Sequence, residues 1–323
     1  MERTIIVPVD GSEDNEQALV PAKVLARVIG AKLVLLYAAI SAASTGEDTP
    51  DDPAKADNEV ETYLSGLANR IKAEGIDVET ATSNLYPSSA ILLEINLRWA
   101  DMVVMCAQRH SGLKEWFSGS VIESVILHSP VPVLVVEPDV SLQALQLGSS
   151  TSPLLVPLDG SKYAETALSH AVALAGALGR NIALLRVVDA NNFGIYAPQT
   201  RWNVPVEAKE LTKIGAMTKW KIQTAADYLT SVEDRLNLEK GRVHSTVRLG
   251  RATEAIQEEG KATNAGMIIM ATHGRTGLQG LMMGSVALKE VQVGSLPIHL
   301  VPPGELVKTK DGILDTRQPD FSR

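Results

Sequence analysis

The chain has 323 residues, an apolar fraction of 45% and a formal net charge of −8. This length predicts two domains of ordinary size, and the apolar fraction is enough to give each domain a buried core. So acidic a chain lacks the basic surface of a general nucleic-acid-binding protein, although backbone N–H groups can still bind a phosphate ligand.

The cysteine content and the apolar runs bear on location. The single cysteine, Cys106, cannot form an internal disulfide, which favours a reducing compartment. No stretch resembling a signal peptide precedes the first apolar run. The longest apolar stretch, 167–185, is interrupted by His170 and Arg180 and does not predict a membrane span. We therefore expect a cytoplasmic protein that does not engage a membrane.

An internal repeat divides the chain. Residues 5–12 read Ile-Ile-Val-Pro-Val-Asp-Gly-Ser, and residues 154–161 read Leu-Leu-Val-Pro-Leu-Asp-Gly-Ser. The two copies are offset by 149 residues there, and by 165 residues between Gly119 and Gly284. The second copy therefore carries 16 additional residues, which we place near 190–220.

Both copies predict the same order of elements. The first copy predicts strands near 4–9, 33–39, 77–82, 102–107 and 132–136, with helices near 12–29, 54–73, 88–98 and 119–128. The second predicts strands near 153–158, 181–188, 243–248, 267–271 and 297–301, with helices near 161–178, 207–237, 252–263 and 285–293. Uniformly apolar strands alternating with helices are typical of a parallel sheet covered on both faces. The predicted fold class is α/β, with two tandem doubly wound five-stranded parallel sheets of Rossmann-like type.

The domain boundaries follow from the repeat and from composition. They give a first domain at 1–138, a polar linker at 139–152, a second domain at 153–303 and a tail at 304–323. We expect the tail to be loose, because it has mixed charge and few apolar residues.

The second copy carries the candidate ligand loop. Ligands of an open parallel sheet bind at the carboxyl ends of the strands. Four glycines lie within eleven residues between the fourth strand and the last helix, which suits close approach of the backbone to a ligand. Gly284 and Ser285 then open that helix, whose positive end suits a phosphate chain. The segment contains neither a Walker A loop nor the dinucleotide fingerprint.

This loop resembles the Gly-x2-Gly-x9-Gly-Ser/Thr motif of ATP-binding universal stress proteins. Gly274 precedes Gly284 and Ser285 by nine intervening residues, and Ala271 stands in place of the first glycine. The resemblance covers nearly the whole chain twice and implies an adenine nucleotide alpha hydrolase-like fold, bound ATP with Mg²⁺ and a stress-response or regulatory role. It also implies that an aspartate after the first strand and a residue near the end of the second strand meet the adenosine. The candidate nucleotide-binding residues are Pro157, Leu158, Asp159, Gly160, Val187, Met270, Ala271, His273, Gly274, Arg275, Gly284, Ser285 and Val286.

The first copy departs from the motif. Asp10, Gly119 and Ser120 remain, but Arg109 stands where the second copy has Gly274. An arginine there fills the space that the glycine leaves for phosphate, or needs a backbone conformation that it resists. We expect the first copy to bind ATP weakly or not at all, and the alternative is that the Arg109 side chain binds a phosphate as a cation.

Simpler interpretations remain beside these. Asp10 and Asp159 could be turn formers only, and Gly284-Ser285 could be only a helix cap. No carboxylate is spaced to orient His273, and the histidines lack metal-binding spacing, so we expect neither catalytic residues nor a side-chain metal site, with slow ATP hydrolysis left open. The alternatives are a nucleotide-independent interaction module, or an ATP-hydrolysing or adenylyl-transferring enzyme of the same superfold. The Leu-Asp-Gly-Ser loop argues against the enzyme, because those enzymes carry other first-loop signatures.

The last strand of each copy is apolar and predicts a contact between the copies. In the family that the chain resembles, such edge strands pair with another domain, which implies an intramolecular pseudo-dimer, and a homodimer is also an option. An exposed apolar edge would otherwise promote aggregation. We expect Cys106 to be a small buried residue and His299 to be packed or at an interface.

Overall fold

The computed structural model describes residues 3–38, 53–107, 121–138, 152–189, 208–272, 284–302, 306–309 and 312–315. The N-terminal half contains β1 (Arg3–Val9), α1 (Glu13–Glu16), α2 (Leu19–Ile29), β2 (Ala31–Ala38), α3 (Pro53–Ala73), β3 (Val78–Ser83), α4 (Pro87–Arg98), β4 (Met102–Cys106), α5 (Val121–His128) and β5 (Val133–Val136). The C-terminal half contains β6 (Leu154–Leu158), α6 (Lys162–Glu165), α7 (Ala167–Leu178), β7 (Ile182–Val188), α8 (Ala208–Leu236), β8 (Val243–Leu249), α9 (Ala252–Ala262), β9 (Met267–Ala271), α10 (Ser285–Val293) and β10 (Ile298–Val301).

Each half has a five-stranded parallel sheet, which confirms the predicted fold class. The strand order is β3-β2-β1-β4-β5 in the N-terminal half and β8-β7-β6-β9-β10 in the C-terminal half. The two last strands, β5 and β10, pair antiparallel and join the halves into one ten-stranded sheet. His299 of β10 lies directly opposite Leu134 of β5 in this pairing.

Apolar side chains cover both faces of this sheet. One face carries a core that runs from Leu33 and Leu134 in the N-terminal half to Leu154 and Leu184 in the C-terminal half. The opposite face carries a second core that also includes residues of both halves. Burial on both faces accounts for the continuous apolar composition of the central strands. Cys106 is buried, as its position in β4 predicted.

The first helix of each copy lies where it was predicted, near 12–29 and near 161–178, but each is divided into a short and a longer helix. α1 and α2 are separate, because the N–H groups of Gln17 and Ala18 bond to carbonyls three residues back, at 3.2 Å, rather than four. This tighter turn resembles a 3₁₀ step. The C-terminal half repeats it, with the Thr166 N–H donating to the Tyr163 carbonyl at 3.1 Å.

The long helix of the second copy agrees with its predicted range near 207–237, whereas the tail differs from its prediction. α8 has 29 residues against 21 in α3, so part of the insertion in the second copy lengthens this helix. In the tail, β11 (Leu306–Thr309) and β12 (Gly312–Asp315) pair as an antiparallel hairpin where composition predicted no regular structure. Within the described ranges, no helix has both the length and the apolar content needed to cross a membrane.

Candidate nucleotide site

A crevice opens between β6 and β9 at their carboxyl ends. β6 pairs with β7 at every position from Leu154 to Leu158, but it pairs with β9 only at Leu154 and Leu155. Beyond Leu155 the two strands separate, and this is where the strand order reverses direction. Ligands of open α/β sheets bind at such a switch point. The crevice is therefore the first place to look for a site.

Asp159 lines the mouth of this crevice as part of a tight turn. Its Oδ1 accepts hydrogen bonds from the backbone N–H of Ser161 at 2.9 Å and from the Ser161 hydroxyl at 2.6 Å. Ser161 in turn caps α6 by accepting from the Ala164 N–H at 3.1 Å. The turn-forming role of Asp159 is thus real. A carboxylate can accept about four hydrogen bonds, so any contact with a ligand would be made in addition.

Val187 lies beside Asp159. In the β6–β7 register Leu158 is paired with Arg186, so the next residue of each strand, Asp159 and Val187, stand at the same level. Adjacent strands lie about 4.8 Å apart, which brings the two residues within reach of one adenosine-sized group. The pair that the family resemblance implied is therefore brought together.

The first turn of α10 forms the other wall. The Gly284 N–H donates to the Thr272 carbonyl at 2.7 Å, which ties together the two ends of the segment 273–283. Gly284 is the N-cap residue and offers no side-chain hydrogen bond to the helix, unlike Ser12 and Ser161 at the starts of α1 and α6. The first N–H groups of an α-helix have no partner within the helix and attract anions.

The structure describes some of the remaining predicted site residues and leaves the others outside the described ranges. The side chains of Leu158 and Met270 are buried in the cores on opposite faces of the sheet, so only their backbone atoms can face a ligand. Ala271 is buried at the end of β9, whereas Pro157 and Val286 are partly buried and Gly160 and Ser285 are exposed. His273, Gly274 and Arg275, and in the N-terminal half Arg109, Gly119 and Ser120, lie outside the described residues.

Arg186 is a site residue that the sequence interpretation missed. Its Nη1 donates to the Leu158 carbonyl at 3.2 Å, and its guanidinium lies 3.6 Å from where a Cβ on Gly160 would stand. Gly160 has φ +81°, a conformation that favours glycine. The signal was available, because Arg186 is the one charged residue in an otherwise apolar β7.

The N-terminal half repeats the turn formed by Asp159, Gly160 and Ser161 but has no counterpart of the Arg186 guanidinium. The Asp10 Oδ1 accepts from the Ser12 N–H at 3.0 Å and from its hydroxyl at 2.6 Å, and Gly11 has φ +86°. Tyr37 occupies the position of Arg186, with its ring edge-on to Tyr63 at a centroid distance of 6.3 Å. The two halves therefore share the geometry of the turn and differ in what surrounds it.

A glutamate, a tyrosine and an arginine connect the short first helix of each half to its long helix, and they are bonded more fully in the C-terminal half. Glu165 accepts from the Tyr228 hydroxyl at 3.0 Å and from Arg235 at 2.9 Å. Burial, and then the Glu165 charge, raise the pKa of Tyr228. In the N-terminal half Glu16 pairs with Arg70 at 3.2 Å, and burial followed by the Glu16 charge raises the pKa of Tyr63. The Tyr63 hydroxyl has no hydrogen-bond partner among the described residues, so this half keeps the ion pair and the partly buried tyrosine but not the bond between tyrosine and carboxylate. Because the half with the altered loop keeps the ion pair, we assign the arrangement to the fold rather than to the ligand.

This assignment gives a prediction. Tyr228→Phe is expected to lower the free energy of unfolding by roughly 1–2 kcal/mol, since a hydrogen bond to a carboxylate is lost from a partly buried site. Nucleotide affinity should change less than about twofold, well under 1 kcal/mol. Urea denaturation and ligand titration of the same preparation measure both, with Tyr63→Phe as the matched variant. Loss of nucleotide binding at unchanged stability would show that Tyr228 acts on the ligand.

A buried polar network orients α10. Glu290, 2% exposed, accepts a hydrogen bond from Gln257 of α9. The Gln257 Oε1 accepts from the Ser295 N–H at 3.3 Å and from its hydroxyl at 3.0 Å. Burial raises the pKa of Glu290 to about 7. The N-terminal half has Leu92 and Val125 at the matching positions. Directional hydrogen bonds thus replace an apolar helix contact behind the proposed phosphate-facing helix.

The comparisons with known proteins agree with this architecture. The model of the universal stress protein family matches residues 1–137 and again residues 151–302. A universal stress protein of Mycolicibacterium smegmatis is 27% identical over 208 residues, 63% of this chain and 62% of the relative. The aligned region thus covers less than two thirds of that relative's length. A universal stress protein of Mycobacterium tuberculosis is 27% identical over 202 residues, 62% of this chain and 61% of its own length.

Solved structures support the fold over nearly the whole chain. The crystal structure of a universal stress protein from Archaeoglobus fulgidus covers 93% of this chain and 98% of its own, with a TM-score of 0.63 at 19% identity. At that identity the likeness establishes the fold alone.

Proposed function

The chain belongs to the universal stress protein family, and from that premise we propose that it is an ATP-binding regulatory member that holds one nucleotide, in its C-terminal half. The observation that carries the proposal is the crevice between β6 and β9. Asp159 and Val187 stand level on one side of it, and the uncapped start of α10 stands on the other. An adenosine on the first wall places its phosphates toward the second.

The start of α10 fits a phosphate chain. The N–H groups that follow Gly284 have no side-chain cap, and they lie at the positive end of the helix. Within the described ranges no three His, Cys, Asp or Glu side chains are grouped to hold a metal. Mg²⁺ usually binds through one or two carboxylates, water and substrate phosphates. We therefore propose that Mg²⁺ arrives with the nucleotide, and that it neutralises phosphate charge there.

We propose binding rather than fast catalysis. A hydrolase needs a base within hydrogen-bond reach of the attacking water. Asp159 is fixed in its turn by two hydrogen bonds from Ser161, and in this proposal its remaining acceptor positions contact the nucleotide. Arg186 carries a guanidinium, which donates hydrogen bonds and does not act as a base. The division of labour that we propose leaves the N-terminal half without nucleotide and uses the β5–β10 pairing to hold the two halves as a pseudo-dimer.

Calorimetric titration with MgATP tests this proposal through a pair of matched variants. Asp159→Ala is expected to weaken ATP binding at least tenfold, about 1.4 kcal/mol, because a charged acceptor is lost. Asp10→Ala damages the same turn in the other half and should leave the affinity unchanged. Equal effects of both variants, or of neither, would contradict the assignment. Absence of any heat with ATP or AMP would favour the interaction module, and release of pyrophosphate would favour the enzyme.

A further inference from the structure

The outward face of α4 carries a line of large apolar side chains. Tyr86, Leu93, Leu97 and Trp99 are 56%, 43%, 63% and 75% exposed. Leu93 and Leu97 are four residues apart, and Tyr86 precedes Leu93 by seven, so these three lie along one stripe of the helix. Trp99 follows at its C-terminal end. These four residues are called the α4 patch below.

The fold does not require apolar residues at these positions. α9 is the counterpart of α4 in the C-terminal half, and it carries Arg251, Glu258, Ala262 and Asn264 at the four matching positions. α9 sits on its own sheet without an apolar outer face. The α4 patch is therefore a property of one half only, and its four side chains stay exposed beside the residues that the structure describes.

Trp99 is also strained. It ends α4 in the left-handed conformation, with φ 52° and ψ 45°. Asn264 ends α9 with φ 50°, and the residue after each makes the same backbone bond, from Ala100 to the Ile95 carbonyl and from Ala265 to the Gly260 carbonyl. Glycine or asparagine suits this position, and a bulky residue costs about 1 kcal/mol there. An exposed tryptophan held at such a cost indicates a contact that it makes with another molecule.

We infer that the α4 patch is the surface through which two copies of this chain associate, with their α4 helices antiparallel about a two-fold axis. Charge supports a second copy as the occupant. Glu94 and Arg98 lie one turn apart on α4 and pair with each other within the chain, so neither brings an uncompensated charge to the contact. In a two-fold contact the same surface of both copies meets, and a surface whose charges are paired within each chain does not repel its own copy.

The charges around the α4 patch are also balanced. Arg98 pairs with Glu94 and with Glu79, and Lys32 pairs with Glu79 at 2.8 Å, so two acids and two bases form one network. The chain as a whole carries a net charge of −8, and like charges repel two copies over most of the surface. The neutral surroundings of the α4 patch make it a favourable place for two copies to meet.

The size of the patch fits a two-fold contact. At typical side-chain areas its four residues expose on the order of 500 Å² per chain. A symmetric contact counts that surface twice and reaches about 1,000 Å², the lower limit of a specific interface. Two tryptophans and two tyrosines would supply the anchors that dominate such interfaces.

The oligomeric state of the full chain tests the inference, with variants that copy the other half. We expect light scattering during gel filtration to give twice the chain mass at tens of micromolar, within the range of weak specific dimers. The double variant Leu93→Glu and Trp99→Asn should shift the mass to that of one chain, with the dissociation constant raised at least thirtyfold. Trp220→Asn removes a tryptophan that is 64% exposed on α8 and serves as the control that should keep the dimer.

Unfolding of the variant is distinguished by a second measurement. Trp99→Asn alone should leave the thermal midpoint unchanged or raise it, because asparagine adopts the left-handed conformation readily. A folded, monomeric double variant beside a dimeric parent and a dimeric control would support the inference. A parent chain that is monomeric at all concentrations, a double variant that stays dimeric, or a monomer that uses the α4 patch for a different protein would each overturn it.

Discussion

Gly274→Arg is expected to abolish ATP binding, with a loss of at least a hundredfold, about 2.7 kcal/mol. The substitution gives the C-terminal half the residue that the N-terminal half has at this position, Arg109. Gly274 lies three residues after the end of β9, in the segment whose ends are joined by the hydrogen bond from Gly284 to Thr272. A glycine that lets backbone approach phosphate leaves no room for a long side chain. MgATP titration of parent and variant measures the loss.

The control for this variant separates position from charge. Thr276→Arg adds the same cation two residues further along, outside the glycine positions of the motif, and should reduce affinity less than about tenfold, under 1.4 kcal/mol. Unchanged or tighter binding by Gly274→Arg would contradict the assignment. It would favour the alternative in which an arginine at this position, such as Arg109, binds phosphate as a cation.

His299→Leu is expected to make the fold more resistant to acid than the parent. His299 is fully buried on β10 beside His170, with ring centroids 5.7 Å apart, and neither of its ring nitrogens has a hydrogen-bond partner among the described residues. Burial first, and then the proximity of His170, lower the pKa of His299 to about 3. The repeat supplies the substitution, because Leu134 occupies the matching position and lies directly opposite.

The direction of the pH effect follows from where the proton binds. The ordinary pKa of histidine is about 6.5, so His299 is protonated below that pH in the unfolded chain. In the folded chain it is protonated only below about pH 3. The contribution of His299 to the free energy of unfolding therefore falls as the pH drops through this range, by about 3 kcal/mol at pH 4. Glu290, whose pKa is raised to about 7, contributes in the opposite direction, and it does so equally in the parent and in the variant. His299→Leu should abolish that fall, and it should also stabilise the fold by roughly 1 kcal/mol at pH 7 by removing buried unpaired nitrogens.

Urea denaturation between pH 4 and pH 8 measures this effect. His244→Leu makes the same change at an exposed histidine of β8. It should leave the dependence of the free energy of unfolding on pH below 6.5 as it is in the parent. If the parent and His299→Leu lost stability in parallel below pH 6.5, the burial of His299 would not be the source of the acid sensitivity.

Much of the fold could be predicted because the sequence contains two copies of the same pattern of elements. The repeated Val-Pro-Val-Asp-Gly-Ser and Val-Pro-Leu-Asp-Gly-Ser segments fix the first strand and turn of each half, and apolar periodicity then gives the alternating elements. What failed was local geometry. The break between α1 and α2 depends on whether an N–H bonds three or four residues back, and the apolar pattern of Ala18, Ala22 and Leu25 is the same in both cases.

The candidate site was predictable only in part, for a related reason. Asp159 and Val187 were selected through the family resemblance, and the register that brings them level depends on strand pairing, which is not local in sequence. Arg186 was missed because it acts through a carbonyl of the neighbouring strand. Trp99 drew no attention because its left-handed conformation and exposure appear only in three dimensions. A position-by-position comparison of the two halves would have identified both residues, because Arg186 corresponds to Tyr37 and Trp99 corresponds to Asn264.

The number of nucleotides bound per chain tests the central claim most directly. Native mass spectrometry of the parent chain, with MgATP well above the dissociation constant, counts them without assuming an affinity. The two halves differ at equivalent positions of the repeat: the C-terminal half has Gly274 and Arg186 where the N-terminal half has Arg109 and Tyr37. This asymmetry predicts one ATP per chain. Two bound nucleotides would contradict the proposed division between a ligand-holding half and a pairing half, and none would contradict nucleotide binding itself.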